Sequence, residues 1–109
     1  GARGKAPQRV QIMQRILARQ LPQHVGQAVW VRGWLNTTRA FGKLTFLVVR
    51  DRSGFMQVVV EDKDESKFLQ SLQPGSIVSV EGKVIESKEE GLGVEIVDAK
   101  IVVENPIHA

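Results

Sequence analysis

The chain has 109 residues, one domain or less, and its hydrophobic fraction of 42% is ordinary for a folded globular unit, so wholesale disorder is excluded. It has no cysteine, which excludes disulfides and thiolate metal sites and is compatible with a reducing cytoplasm. The net charge of +3 comes entirely from Arg3, Lys5 and Arg9, and the remaining 12 basic and 12 acidic residues cancel, so the charge total alone argues for no polyanionic partner.

Residues 1–12 show no apolar periodicity, and Met13 would make a natural start. They read as an expression-tag remnant, the alternative being a native basic tail, which leaves residues 13–109 as the folded domain. No signal-peptide pattern is visible, and no apolar run approaches the ~18 residues of a membrane helix. Charge is unevenly spread. Residues 13–52 hold seven basic residues and one acid, whereas residues 53–109 hold five basic residues and eleven acids. A neutral domain of this kind can still present one basic face, although chance segregation gives the same pattern.

In chain order, Met13, Ile16 and Leu17 recur at helical spacing and predict a short helix over residues 13–20, with Pro22 ending it or turning the chain. Residues 28–35 alternate, with Val29, Val31, Gly33 and Leu35 on one face and Trp30, Arg32 and Trp34 on the other, which predicts the first strand. Gly33 inside it suggests a bulge or sharp bend. Residues 36–42 are polar and end in glycine, and read as a loop or a frayed continuation. Residues 44–51 and 55–61 predict a hairpin turned at Asp51-Arg52-Ser53-Gly54. Phe68, Leu69 and Leu72 predict a helix over residues 65–72, with Asp64 as N-cap and Pro74-Gly75 as breaker. Residues 76–85 and 94–103 predict the last two strands, separated by a charged, glycine-bearing loop over residues 86–93. Three strands, a helix and two strands in about 100 residues predict an all-β fold with short helices. The architecture that fits is a five-stranded OB-fold Greek-key barrel, with a helix between strands three and four and a short N-terminal helix. An SH3-like barrel is the competitor, and the placement of the helix favours OB.

OB barrels bind single-stranded nucleic acid across strands two and three and the flanking loops. A barrel interior takes the purely apolar sets, here Leu47, Val49, Met56, Val58 and Val60, which leaves Phe46, Arg50 and Gln57 outside. Phe46 and Gln57 are then near or diagonal neighbours across the hairpin. An exposed ring offers a stacking surface, and an amide offers one donor and one acceptor to a base edge. The alternative is that Phe46 is core and Gln57 an ordinary surface glutamine.

The ordered set Val31-Arg32-Gly33-Trp34-Leu35, Arg39, Gly42-Lys43-Leu44-Thr45-Phe46-Leu47, Arg50-Asp51-Arg52-Ser53-Gly54 and Gln57-Val58-Val59 resembles the anticodon-binding domain of aspartyl-tRNA synthetases, which are class II enzymes. Ser79-Val80-Glu81-Gly82-Lys83-Val84 and Val94-Glu95-Ile96 extend the resemblance, which runs from about Gln14 to Ala109. It implies that Phe46 stacks on the middle uridine of a tRNA anticodon, that Gln57 reads that uridine's edge, and that Arg39 contacts anticodon bases or nearby backbone. Thr37, Thr38 and Ala40 depart from the basic and acidic residues common there. Asn36 and Lys88, in the two flanking loops, are the candidates for contact with the third base. The resemblance further implies a cytoplasmic, homodimeric parent whose catalytic domain, on the same polypeptide, uses ATP and Mg²⁺. This chain would itself do no chemistry and hold no cofactor or metal.

Asparaginyl and lysyl enzymes share the barrel and are the nearest alternatives. A free-standing single-strand binder and an engineered protein-binding barrel are the readings of other classes. No Walker loop, dinucleotide fingerprint or catalytic triad appears. His24 and His108 are too isolated for a metal or catalytic site. Asp62, Asp64 and Glu65 read as a helix start, Asp51 as organiser of the hairpin, and Arg50 and Trp34 as packing residues, whereas Trp30 is open between exposure and support of the N-terminal helix.

Overall fold

The computed structural model describes residues 15–88 and 93–105. The expectations for residues 1–12 and His108 lie outside these. Five strands close into a barrel in the order β1 (Ala28–Phe41), β2 (Leu44–Asp51), β3 (Gly54–Val60), β5 (Val94–Val103), β4 (Ile77–Glu86). All neighbours are antiparallel except β3 and β5, which run parallel at Gln57 opposite Glu95 and Val58 opposite Ile96. Closure leaves no open sheet edge. This is the predicted OB barrel.

Alternation fills the interior. Val29, Val31 and Leu35 from β1, Leu47 and Val49 from β2, Met56, Val58 and Val60 from β3, Val78, Val80 and Val84 from β4 and Ile96 from β5 form one buried cluster. Leu69 and Leu72 join it from α1 (Lys63–Gln70) and the turn that follows. Asp62, two residues before the expected cap, accepts the Glu65 amide at 3.0 Å. Asp62 and Asp64 are equally good caps by type, so only geometry separates them.

The N-terminal helix differs from expectation. It is a 3₁₀ helix over Ala18–His24 that contains Pro22. The residues before it are extended: Arg15 bridges Trp30, and the Ile16 amide donates to the Trp30 carbonyl at 2.9 Å. Ile16, one of the residues whose spacing suggested a helix, and Leu21 are buried at 5% and 1% exposure and anchor the segment onto the barrel. Trp30 lies beneath Arg15, whose guanidinium is 5.6 Å from its ring centroid.

Gly33 does not mark a bulge. A Cβ there would collide with the Arg50 carbonyl oxygen and meet Val49 Cγ1 at 3.1 Å, so the glycine permits close approach of β1 to β2. The bulge falls two residues later, where the pairing shifts between Leu35 opposite Val49 and Thr37 opposite Val48. Beyond it, residues 36–41 continue as strand, the second of the two readings of this stretch, and only Gly42 and Lys43 turn the chain into β2.

Asp51 organises the hairpin. Its Oδ1 accepts from the Ser53 amide and hydroxyl, both at 2.7 Å, and from the Gly54 amide at 3.2 Å. Its Oδ2 accepts from the Ala18 amide at 2.8 Å, which ties the 3₁₀ helix to the turn. Burial alone would raise this carboxyl, but the hydrogen bonds from Ser53, Ala18 and Gly54 outweigh it and hold the group below its ordinary value.

Candidate nucleic-acid interface

The bulge decides what the outer face of the barrel carries. Ahead of it, odd-numbered residues of β1 point inward. An extra residue reverses that parity. Thr37, Arg39 and Phe41 are therefore exposed, and they pair with Val48, Phe46 and Leu44 on the outer face of β2. On β3 the same face continues through Gln57 and Val59, opposite Val48 and Phe46.

Arg39 and Phe46 are direct cross-strand partners. The guanidinium lies over the ring, 5.3 Å from its centroid, within the range of a cation–π contact. A phenyl ring and a guanidinium plane are both stacking surfaces for a base. Phe41 stands on the other side of Phe46, with ring centroids 6.4 Å apart and planes at 51°. Around these three side chains lies a groove of about 350 Å³, lined also by Ile85, Lys88, Glu61 and Glu95.

Gln57 lies two pairs further along β3, on the same face and diagonal to Phe46. Its Nε2 donates to Glu95 Oε1 at 3.3 Å, and Glu95 is only 8% exposed. A carboxylate accepts and does not donate, so the amide nitrogen is the end that meets it. The amide cannot turn over without facing oxygen to oxygen, which leaves Oε1 and the second N–H for a partner.

The structure thus gathers Phe46, Arg39 and Lys88 around one groove and sets Gln57 beside it. Asn36 is not part of the groove. It sits half-buried at the bulge, three residues before Arg39, because the expected loop is strand. Arg39, expected in that loop, is likewise a strand residue. Phe41 and Glu95 are among the groove residues that sequence reasoning missed. Phe41 lay in the supposed loop. Glu95 had one available signal, a carboxylate set among the apolar residues of Val94-Glu95-Ile96-Val97.

Other charges are engaged elsewhere. Arg32 forms a two-pronged contact with Glu104, Nε to Oε2 at 2.9 Å and Nη2 to Oε1 at 2.8 Å, and the Ser79 hydroxyl adds a third bond at 2.6 Å. Arg32 first and then Ser79 hold the Glu104 carboxyl down at about 2. Arg50 lies over Phe55 at 4.8 Å, the packing role expected of it, whereas Trp34 is 39% exposed.

A closed five-stranded barrel of this order, with a cation, a ring and a fixed amide on the face of β1 to β3, has the architecture and the surface of an OB domain that binds single-stranded nucleic acid. The sequence profile of the tRNA anti-codon family, an OB-fold nucleic acid binding domain, matches residues 29–104, and the chain belongs to that family. It is similar to the aspartate–tRNA(Asp/Asn) ligase of Methanococcus maripaludis, 34% identical over 93 residues that cover 82% of this chain and 21% of the relative. It is also similar to the aspartate–tRNA(Asp/Asn) ligase of Thermus thermophilus, 37% identical over 92 residues that cover 84% of this chain and 20% of the relative. Among solved structures, the asparaginyl-tRNA synthetase of Pyrococcus horikoshii superposes with a TM-score of 0.76 at 27% identity, over 85% of this chain and 23% of that one. The chain therefore spans about one fifth of the length of the curated relatives it matches.

Proposed function

We propose that this chain is the anticodon-recognition module of an aspartyl-type tRNA synthetase. The observation that carries the reading is the row formed by Arg39 over Phe46 and, diagonal to it, Gln57 held by Glu95. The middle anticodon base stacks on Phe46 and its guanidinium partner. The Gln57 Oε1 accepts the N3–H of uridine, and the free amide N–H donates to a uridine carbonyl. Cytidine presents a bare N3 at the same place. The amide would have to turn over to suit it, and Glu95 opposes that turn. Arg39 and Lys88 supply charge for phosphates, which strengthens binding without reading sequence.

On this reading the barrel itself performs no chemistry. The parent would be a cytoplasmic homodimer whose catalytic domain activates aspartate with ATP and Mg²⁺ and transfers it to the tRNA. Pyrophosphate exchange with aspartate and ATP should give no signal from this chain. Asn36 and Lys88 were the candidates for the third anticodon base. Of these, only Lys88 lines the groove, and a lysine chiefly attracts phosphate, so the barrel should separate cytidine from uridine at the third position by only about 1–2 kcal/mol.

The test is equilibrium binding of anticodon stem-loops that differ only in the middle base. Uridine should bind tightest, and Phe46→Ala should cost about 1–3 kcal/mol while the barrel stays folded. Equal affinity for all four middle bases would refute the reading, as would a Phe46→Ala chain that unfolds with no separate binding defect.

A further inference from the structure

Phe41 is 69% exposed, more than any other large hydrophobic side chain among the described residues. It is the last residue of β1, opposite Leu44, and the bulge turns it outward. The turn that follows has Gly42 at a φ of +63°, the usual glycine position at the start of a two-residue hairpin turn. The ring is thus fixed at the tip of a paired hairpin rather than hung on a long loop. It lines the same groove as Phe46 and Arg39.

The two rings cannot share one base between them. A base held between two rings needs them parallel and about 7 Å apart, twice the ~3.4 Å rise of stacked bases. Here the planes meet at 51° with centroids 6.4 Å apart. The rings can only work side by side, each beneath its own base.

The geometry points to Phe41 as a second stacking platform, which holds the anticodon base adjacent to the one on Phe46 and makes this face a reader of two neighbouring nucleotides. The inference rests on the proposed function above and adds to it the residue that engages the neighbouring base. A nucleotide strand is the occupant that fits, because the ring is continuous with the Arg39–Phe46 stacking platform, and the groove's cations, Arg39 and Lys88, match its carboxylates, Glu61 and Glu95, in number.

The experiment measures the affinity of the whole chain for three stem-loops: one intact, one abasic at the first anticodon position and one abasic at the third. Phe41→Ala should weaken the intact RNA about fivefold or more. One of the two abasic RNAs should show no further loss on Phe41→Ala, and that RNA identifies the base on the ring. Phe41→Trp should bind the intact RNA at least as well as the parent. Melting temperatures of both variants should match the parent, since the ring is outside the core. An unchanged affinity, or an equal loss for all three RNAs, overturns the inference. If the parent chain binds the intact RNA and Phe46→Ala weakens it while Phe41→Ala does not, only the second platform fails. If the parent chain binds none of the RNAs, the anticodon reading and this inference fall together.

Discussion

Replacing Asp51 by alanine removes the acceptor for four donors: the amides of Ala18, Ser53 and Gly54 and the Ser53 hydroxyl. Hydrogen bonds to a charged group contribute about 1.5–3 kcal/mol each, less where water can replace the partner. The Ala18 amide is buried and has no such replacement, so it accounts for about 2 kcal/mol. The turn donors are only part-buried and together add about 1–2 kcal/mol. A loss of about 3–4 kcal/mol in a domain of this size lowers the melting temperature by roughly 12–32 °C. The pH dependence has a defined sign. The carboxyl lies lower in the folded chain than its unfolded value of about 3.9. Its contribution is therefore complete above about pH 4 and is lost as the pH falls through the folded value. The gap in stability between the parent and Asp51→Ala, read by urea denaturation, should be full at pH 7 and shrink below about pH 4. RNA affinity, measured where both chains are folded, should change by less than about threefold, because Asp51 holds the hairpin and touches no groove residue. A melting temperature within about 3 °C of the parent, or a gap that does not narrow in acid, would refute the reasoning.

Gln57→Ala should reduce the preference for uridine over cytidine more than it reduces total affinity, and Glu95→Gln, which no longer dictates which end of the amide faces it, should reduce the same preference while Gln57 remains. Competition between the two stem-loops reads both, and an equal loss for both RNAs would remove Gln57 from base reading. Arg39→Ala should weaken all RNAs and lower the slope of log affinity against log salt by about one contact, measured by titration at several ionic strengths. Gly33→Ala should destabilise the barrel by about 3 kcal/mol, because the new methyl meets the Arg50 carbonyl and β2 must move, and thermal melting checks it.

Strands dense in apolar residues and bounded by turn signals could be read directly from the sequence. Residues 44–51 and 94–103 are strands to the residue, and the inward sets of β2 and β3 are those expected, because polar members marked the other face. Parity then gave Phe46 and Gln57 their outward placement and diagonal relation. The end of β1 was illegible for a physical reason. Asn36-Thr37-Thr38 carries no apolar marker, and a bulge is set by pairing with β2 rather than by its own residues. The partnership of Arg39 with Phe46 and the exposure of Phe41 both depend on that bulge, so neither could be seen. At the N-terminus, a local spacing of three and four matched a helix, but pairing with Trp30 took precedence. The Gln57–Glu95 contact crosses a parallel pairing between β3 and β5, which no local pattern records.

The bulge also divides β1 into two stretches under opposite substitution rules. In Ala28–Phe41 the odd positions before the bulge tolerate only what the core accepts, whereas the odd positions after it can vary with the ligand. One continuous strand thus works as two registers, a stiff keel that closes the barrel and a separately tunable blade that carries Arg39 and Phe41. If the bulge were flattened with every residue kept, so that Asn36 paired in regular alternation, the second stretch would fall into phase with the first. That shift would turn Arg39 and Phe41 toward the interior and Thr38 and Ala40 toward the solvent, erasing the proposed recognition surface without replacing any residue that forms it.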